Sequence, residues 1–167
     1  PENMDFECFA TLLSADMNID LPDYLSKYAS KEISFKTVDD VVVFNNADSL
    51  IRIPYGQGRL DGILETNLSV EEHEKLKESL NTRGIDFFEK PMKKYDLDAV
   101  LSINNWNAGN AAAAKYPCLT VPMGYNKNGA PIGLTFITRP FEERKLLKLG
   151  YAFEQLTKSR KLPKGYR

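Results

Sequence analysis

The fold of this chain is decided by a predicted β-hairpin over residues 116–138, which reads YPCLTVPMGYNKNGAPIGLTFIT. The apolar and β-branched residues of 118–121 predict one strand, which Pro122 is expected to close. Residues 132–137 predict the returning strand. The Asn-Gly step at 128–129 is typical of a tight turn, because both residues tolerate a positive φ. The two strands are therefore expected to pair.

The segments on either side of the hairpin add a strand and a helix. Residues 97–103 (LDAVLSI) predict a short buried strand, and the apolar spacing of residues 142–158 predicts an amphipathic helix. The expected fold class is α/β, with several helices, a small mixed sheet of strands near 97–103, 118–122 and 132–138, and a C-terminal helix near 142–158. Three short strands are few for a complete sheet, so we expect them to be edge pieces of a larger one.

The first half of the chain is expected to be mainly helical. Helix start and stop signals, such as Thr37 before two aspartates and the Ser69–Glu72 capping box, divide it into short helices. The predicted helices are 2–18, 21–29, 37–47, 70–82 and 85–94, with a loop holding at most a short helix at 50–62 and a break or kink at Gly84. We expect a single domain over 1–167, with a helical part (1–94) and a strand-loop-hairpin-helix block (95–158).

Composition and charge exclude several classes of function. The 167 residues carry a formal net charge of −1, with a pI near 6.0, so no basic excess indicates nucleic-acid binding. No apolar run approaches the roughly 20 residues that a membrane helix needs, so no membrane partner is expected. The two cysteines, Cys8 and Cys118, are far apart and are expected to be reduced, buried thiols. Such thiols fit a cytoplasmic protein.

No catalytic or metal-binding pattern emerges from spacing alone. One histidine, His73, and two distant cysteines cannot form a common zinc site, and no cofactor motif occurs, so neither metal nor cofactor is expected. His73 lies among glutamates on a predicted helix and is expected to be solvated. No Gly-x-Ser-x-Gly elbow is present. Ser102, at the end of a predicted strand, is the serine closest to a polar loop.

That polar loop, NNWNAGN at residues 104–110, is the most unusual local feature. Its side-chain amides can donate and accept hydrogen bonds, which suits a neutral polar ligand. Asn and Gly also satisfy the backbone geometry of a turn that follows a strand. Both interpretations stay open on the sequence.

The hairpin and its surroundings resemble the C-terminal block of the amidase-signature family. That block has the form G-x-P-x-ϕ-[ST]-V-P-x-G, which residues 116–124 resemble, and it continues through a second strand and a Leu-Leu-rich helix like residues 146–155. Residues 95–102 are similar to the family's preceding strand. Asn104-Asn105 stand where Pro and Thr are usual. Two earlier segments, 38–45 and 52–57, resemble the branch of small-amide and peptide amidases.

The resemblance implies an enzyme that hydrolyses linear carboxamides to a carboxylate and ammonia or an amine. The family uses a Ser nucleophile, a second Ser joined through a cis peptide, and a Lys base, within a Gly- and Ser-rich segment. No such segment occurs in these residues, so the resemblance implies no catalytic residue here. This chain is then expected to be inactive alone and to supply scaffold and one wall of the pocket for a small amide substrate. The wall candidates are Asn104, Asn105, Trp106 and Asn107.

Two other interpretations remain open on the sequence. The chain could be a stand-alone binding module without catalysis, which a start codon directly before Pro1 would support. It could also be part of the A subunit of an aminoacyl-tRNA amidotransferase, although residues 1–60 match that branch poorly. Because the chain starts without Met, we expect a piece of a longer protein, and exposed strand edges would then favour homo-oligomers.

Overall fold

The computed structural model of the chain describes residues 6–163 and Gly165. The predicted start of the first helix, before residue 6, lies outside the described residues. The chain divides into two compact units, a helical unit that ends at Glu78 and a sheet unit that begins at Ser79. The described helices and strands are α1 (Phe6–Tyr28), α2 (Val38–Asn46), α3 (Ser49–Arg52), α4 (Gly58–Glu65), α5 (Val70–Lys94), β1 (Val100–Ile103), α6 (Ala108–Ala114), β2 (Cys118–Tyr125), β3 (Pro131–Ile137) and α7 (Glu143–Thr157).

In the helical unit, α1 runs without interruption through Pro22, so the predicted separation into helices 2–18 and 21–29 is wrong. A proline inside a helix removes one backbone hydrogen bond and costs about 3 kcal/mol. Packing of the residues before the proline compensates, because Leu12 and Ala15 are buried and Leu21 packs against the unit's core. That core consists of Val38, Val42 and Ile63.

The capping signal before α2 is confirmed. Thr37 Oγ1 accepts a hydrogen bond from the Asp40 amide at 3.2 Å, and Asp40 Oδ2 accepts one from the Thr37 amide at 3.0 Å. Asp40 also accepts a hydrogen bond from the Lys36 amide, which is the main reason that the pKa of this carboxyl is lowered. The start of α2 is therefore determined by local chemistry that the sequence displays.

The predicted loop at 50–62 holds more helix than expected, because it contains most of α3 and the start of α4. The amide of Gln57 connects α4 to the end of α2: Asn45 Nδ2 donates to Gln57 Oε1 at 3.0 Å, and Gln57 Nε2 donates to Asn46 Oδ1 at 2.9 Å. This pair of hydrogen bonds orders a Gly- and Pro-rich segment whose composition alone is typical of a loop.

Helix α5 continues through Gly84, where the sequence predicted a break between helices 70–82 and 85–94. The side chains of Leu80, Phe88 and Met92 and the backbone at Gly84 share one buried face, spaced by four residues. A Cβ at Gly84 would lie 2.8 Å from the Ala114 amide nitrogen, so the glycine allows α6 to approach closely. Packing, rather than helix termination, explains this glycine.

The sheet has the order β1-β3-β2, and both strand pairs are antiparallel. The α/β class and the hairpin are confirmed, whereas the expected mixed sheet is wrong in this part of the chain. Strands β1 and β2 do run in the same direction, with α6 between them in the sequence, but β3 lies between them in the sheet. Strand β2 also continues past Pro122, across a bulge before Gly124, to Tyr125. A proline is tolerated there because β2 is at the edge of this sheet.

The two faces of the sheet pack against different helices. On one face, α7 covers a core that contains Val121, Phe136 and Leu146. On the other face, Ile137 packs with residues of α5 and α6 such as Phe88 and Ala111. Helix α7 extends from Glu143 to Thr157, which confirms the predicted C-terminal helix near 142–158.

Replacing Lys115 with glycine is expected to stabilise the chain by about 0.5 kcal/mol. Lys115 ends α6 with φ +59°, in the left-handed conformation that disfavours residues with a Cβ. Urea unfolding measures the change. Lys127→Gly in the hairpin turn is the matched control. It relieves no positive φ and only raises the conformational entropy of the unfolded chain, so it should destabilise. A stability loss at both positions would contradict the prediction.

Candidate functional site

Asn104 joins the polar loop to the sheet. Its backbone N–H donates to the Gly133 carbonyl at 2.8 Å, and its side-chain Oδ1 accepts from the Gly133 N–H at 2.8 Å. The residue adopts φ +50°, which Asn tolerates better than most residues. At the end of β1, the side-chain oxygen of Asn104 therefore takes the place of a backbone carbonyl as the acceptor for the Gly133 N–H. The positive φ of Asn104 turns the chain away from the sheet.

The next three residues of the loop present different surfaces. Asn105 is exposed, and Trp106 retains 70% of its accessible surface. Neither side chain forms a hydrogen bond with another described residue. Asn107 is partly buried, and its Oδ1 accepts a long hydrogen bond from Asn110 Nδ2 at 3.5 Å. The predicted wall residues thus lie together, with Asn104 and Asn107 contacting the scaffold and Asn105 and Trp106 facing outward.

A row of hydroxyl groups crosses the three strands beside this loop. Ser102, Thr135 and Thr120 are register partners on β1, β3 and β2. Thr120 Oγ1 lies 2.7 Å from Thr135 Oγ1, and Thr135 Oγ1 donates to the Asn104 carbonyl. Ser102 and Thr135 are buried, whereas Thr120 is exposed. Sequence reasoning singled out Ser102 but missed both threonines, because their proximity depends on strand register.

The hydroxyl of Ser102 lacks the surroundings of a nucleophile. Its Oγ is buried and has no hydrogen-bond partner among the described residues. A serine nucleophile needs a base within hydrogen-bond distance to remove its proton. In the described part of the chain, Ser102 therefore has a structural position and no catalytic partner.

A second polar group surrounds Glu89 of α5. It lies at the open end of the hairpin, opposite the turn, where the chain enters β2 and leaves β3. Tyr116 Oη donates to Glu89 Oε1 at 2.8 Å, and Arg139 Nε donates to the same oxygen at 2.8 Å. The Glu89 side chain is only 15% exposed. Burial alone would raise the pKa of the Glu89 carboxyl, but the hydrogen bonds from Tyr116 and Arg139 outweigh it, so the pKa is lowered.

The same contacts keep Tyr116 protonated. Burial, followed by the hydrogen bond to Glu89, raises the pKa of Tyr116 to about 12. Its phenol is therefore a hydrogen-bond donor over the whole physiological pH range. The cluster of Glu89, Tyr116 and Arg139 attaches the start of β2 and the chain after β3 to α5, and this contact holds the hairpin that carries Thr120.

In the helical unit, the position of His73 differs from the prediction of a solvated residue. Its side chain is only 12% exposed, and Nε2 lies 2.7 Å from Asp16 Oδ1 of α1. The two side chains border a cleft of about 660 Å³ whose wall also includes Asp20, Glu74 and Lys77. Sequence reasoning missed this contact because Asp16 and His73 are 57 residues apart.

Cys118 also departs from its prediction as a buried thiol, because the residue is exposed on the edge strand β2. Partial burial of the sulfur nevertheless raises the pKa of the Cys118 thiol, which disfavours the reactive thiolate. Residues 6–163 contain no cluster of three or more His, Cys, Asp or Glu that could hold a metal ion. Over the same range, every helix is too short or too polar to cross a membrane.

Comparisons with known proteins identify relatives of this chain. No protein-family model matches it. A probable amidase from Arabidopsis thaliana is 38% identical over 91 residues, which is 54% of this chain and 17% of the relative. The crystal structure of an amidase family protein from Bacillus anthracis superimposes with a TM-score of 0.85 and 34% identity, covering 91% of this chain and 30% of that protein.

A peptide amidase from Stenotrophomonas maltophilia superimposes equally well, with a TM-score of 0.84 and 25% identity, over 95% of this chain and 35% of the peptide amidase. This chain thus spans about a third of the length of these solved structures and less of the curated relative. The matches confirm the resemblance first suggested by the hairpin. The chain therefore belongs to the amidase-signature family and corresponds to one segment of an amidase.

Proposed function

We propose that this chain forms the scaffold and one wall of the substrate pocket of an amidase. The whole enzyme would hydrolyse a carbon–nitrogen amide bond to a carboxylate and ammonia or an amine. The observation that supports this function most is that amidase structures superimpose on nearly the whole chain. A likeness of this extent favours an amidase segment over a stand-alone binding module.

The catalytic groups are assigned to the rest of the enzyme. The family resemblance supplies a Ser–Ser–Lys arrangement for which these 167 residues offer no matching segment. The serines with side-chain hydrogen bonds among the described residues serve the fold: the Ser69 hydroxyl donates to Glu72 Oε2 at 2.7 Å in the cap of α5, the Ser26 hydroxyl donates to the Asp23 carbonyl, and the Ser30 hydroxyl accepts from the Glu32 amide. None of these hydrogen bonds involves a lysine.

The wall itself is assigned to the loop after β1. Asn105 and Trp106 are exposed and free to contact the acyl or amide part of a substrate, because no hydrogen bond in the described fold uses their side chains. Asn104 and Asn107 hold them in place through the contacts with Gly133 and Asn110. The four candidates would thus act as one unit, two as contacts and two as supports.

The test compares the full-length enzyme with the 167-residue chain. We expect the enzyme to release ammonia from a panel of peptide amides and small carboxamides, and the chain alone to release none. Hydrolysis by the chain alone would contradict the assignment of catalysis to the rest of the enzyme. Tight carboxamide binding by the chain, with no amidase activity in the full-length protein, would favour a binding module. Glutamine hydrolysis that depends on aminoacyl-tRNA would favour an amidotransferase subunit.

A further inference from the structure

We propose that Thr120 is a substrate-orienting residue of this wall, and that its hydroxyl oxygen accepts a hydrogen bond from the N–H of the substrate amide. The inference rests on the proposed amidase function. It adds a residue outside the Asn loop and indicates a substrate class, namely amides that carry at least one N–H on the scissile nitrogen.

The argument begins with the direction of two hydrogen bonds. A threonine hydroxyl has a single proton, whereas a backbone carbonyl can only accept. Thr135 Oγ1 contacts the Asn104 carbonyl and must donate its proton to it. The proton in the 2.7 Å contact between Thr120 Oγ1 and Thr135 Oγ1 then has to come from Thr120. Both protons in this chain of hydrogen bonds point inward, toward Asn104.

This direction determines what Thr120 offers to a ligand. Its proton is committed to Thr135, so its oxygen keeps lone pairs and acts as an acceptor. No donor among the described residues occupies them. Thr135 is 3% exposed, whereas Thr120 is an exposed residue, so the chain of hydrogen bonds opens outward only at Thr120. A ligand with an N–H or O–H donor matches this oxygen, and a ligand with only acceptors does not.

Thr120 also lies beside the loop that carries the other wall candidates. A Cβ on Gly133 would be 2.6 Å from Thr120 Cγ2 and 3.8 Å from Asn104 Oδ1, so both side chains project from the same face of the sheet. Because Gly133 has no side chain, the Cγ2 methyl group of Thr120 has room beside it. One face therefore presents both the acceptor oxygen and the residue that turns the Asn loop outward.

The chemistry of amide hydrolysis gives this acceptor a use. A primary carboxamide has two N–H groups on its scissile nitrogen, an N-alkyl amide has one, and an ester or an N,N-dialkyl amide has none. An acceptor that is held in place can orient the nitrogen of the first two classes. The acceptor cannot orient an ester or an N,N-dialkyl amide, because neither has an N–H group that could donate a hydrogen bond to it.

The experiment uses the full-length enzyme and two substrates with the same acyl group, a primary amide and a methyl ester. We expect Thr120→Val to lower kcat/KM for the amide about five- to tenfold, the size of one lost hydrogen bond. Ester hydrolysis should be unchanged. Thr120→Ser keeps the hydroxyl and is the matched control, which should retain the amide-to-ester ratio. Thr120→Ala removes the same hydroxyl if the valine variant folds poorly.

The outcomes separate this inference from the function on which it rests. If the wild-type enzyme hydrolyses no amide, the proposed function fails. If the wild type is active but Thr120→Val lowers amide and ester hydrolysis equally, Thr120 is structural and the inference is overturned. An unchanged amide-to-ester ratio with full activity also overturns it. A selective loss on the amide, absent in Thr120→Ser, supports it.

Discussion

Replacing Gly84 with alanine is expected to destabilise the sheet unit by about 2 kcal/mol, although alanine is the better helix former. The new Cβ would lie 2.8 Å from the Ala114 amide nitrogen and 2.9 Å from the Asn110 carbonyl oxygen. Both contacts are with backbone, which cannot rotate away as a flexible side chain can. Helices α5 and α6 would have to separate, and the buried contacts of Phe88 with Ala111 and Ala114 would loosen with them.

Gly62→Ala in α4 is the matched control for this experiment. A Cβ at Gly62 meets no atom within 4 Å, so the substitution should follow helix propensity and stabilise by about 0.5–1 kcal/mol. Urea unfolding of the two variants against the wild-type chain measures both changes. Opposite signs are expected. A gain in stability at both positions would show that α6 does not approach α5 as closely as the structure indicates.

Replacing Glu89 with glutamine is expected to destabilise the chain by about 2 kcal/mol near neutral pH, because hydrogen bonds to a charged carboxylate are stronger than those to a neutral amide. Glutamine also presents a single acceptor oxygen to Tyr116, Arg139 and Lys93, all of which the carboxylate of Glu89 contacts. Glu78→Gln, on an exposed residue of the same helix, is the control and should change stability by less than about 0.5 kcal/mol.

The pH dependence of this effect has a defined sign. The pKa of Glu89 is lower in the folded protein than its ordinary value, so folding favours the charged form. The stabilisation is complete above the unfolded pKa of about 4.3 and is lost as the pH falls through the folded pKa. The stability difference between wild type and Glu89→Gln should therefore shrink when unfolding is followed from about pH 6 down to about pH 3. A difference that stays constant over this range would exclude Glu89 ionisation as its source.

Local signals predicted the elements that short-range chemistry specifies. The alternating and β-branched residues of the hairpin, the cap at Thr37 and the apolar stripe of α7 all produced the expected structure. Gly84 and Pro22 gave wrong predictions for a common reason. Each is a helix breaker in an isolated peptide, but Gly84 lies between buried residues of α5, and Pro22 directly follows Leu21, which packs against the core of the helical unit.

The sequence by itself determined the α/β class, the hairpin with its following helix, the family, and the position of the Asn-rich loop after β1. These depend on residues close together in the chain. Tertiary structure alone decided that Thr120, Thr135 and Asn104 form one directed chain of hydrogen bonds, and that Asp16 meets His73. A hydroxyl's role as donor or acceptor depends on its neighbours in space, and strand register brings those neighbours from segments 15 and 31 residues apart.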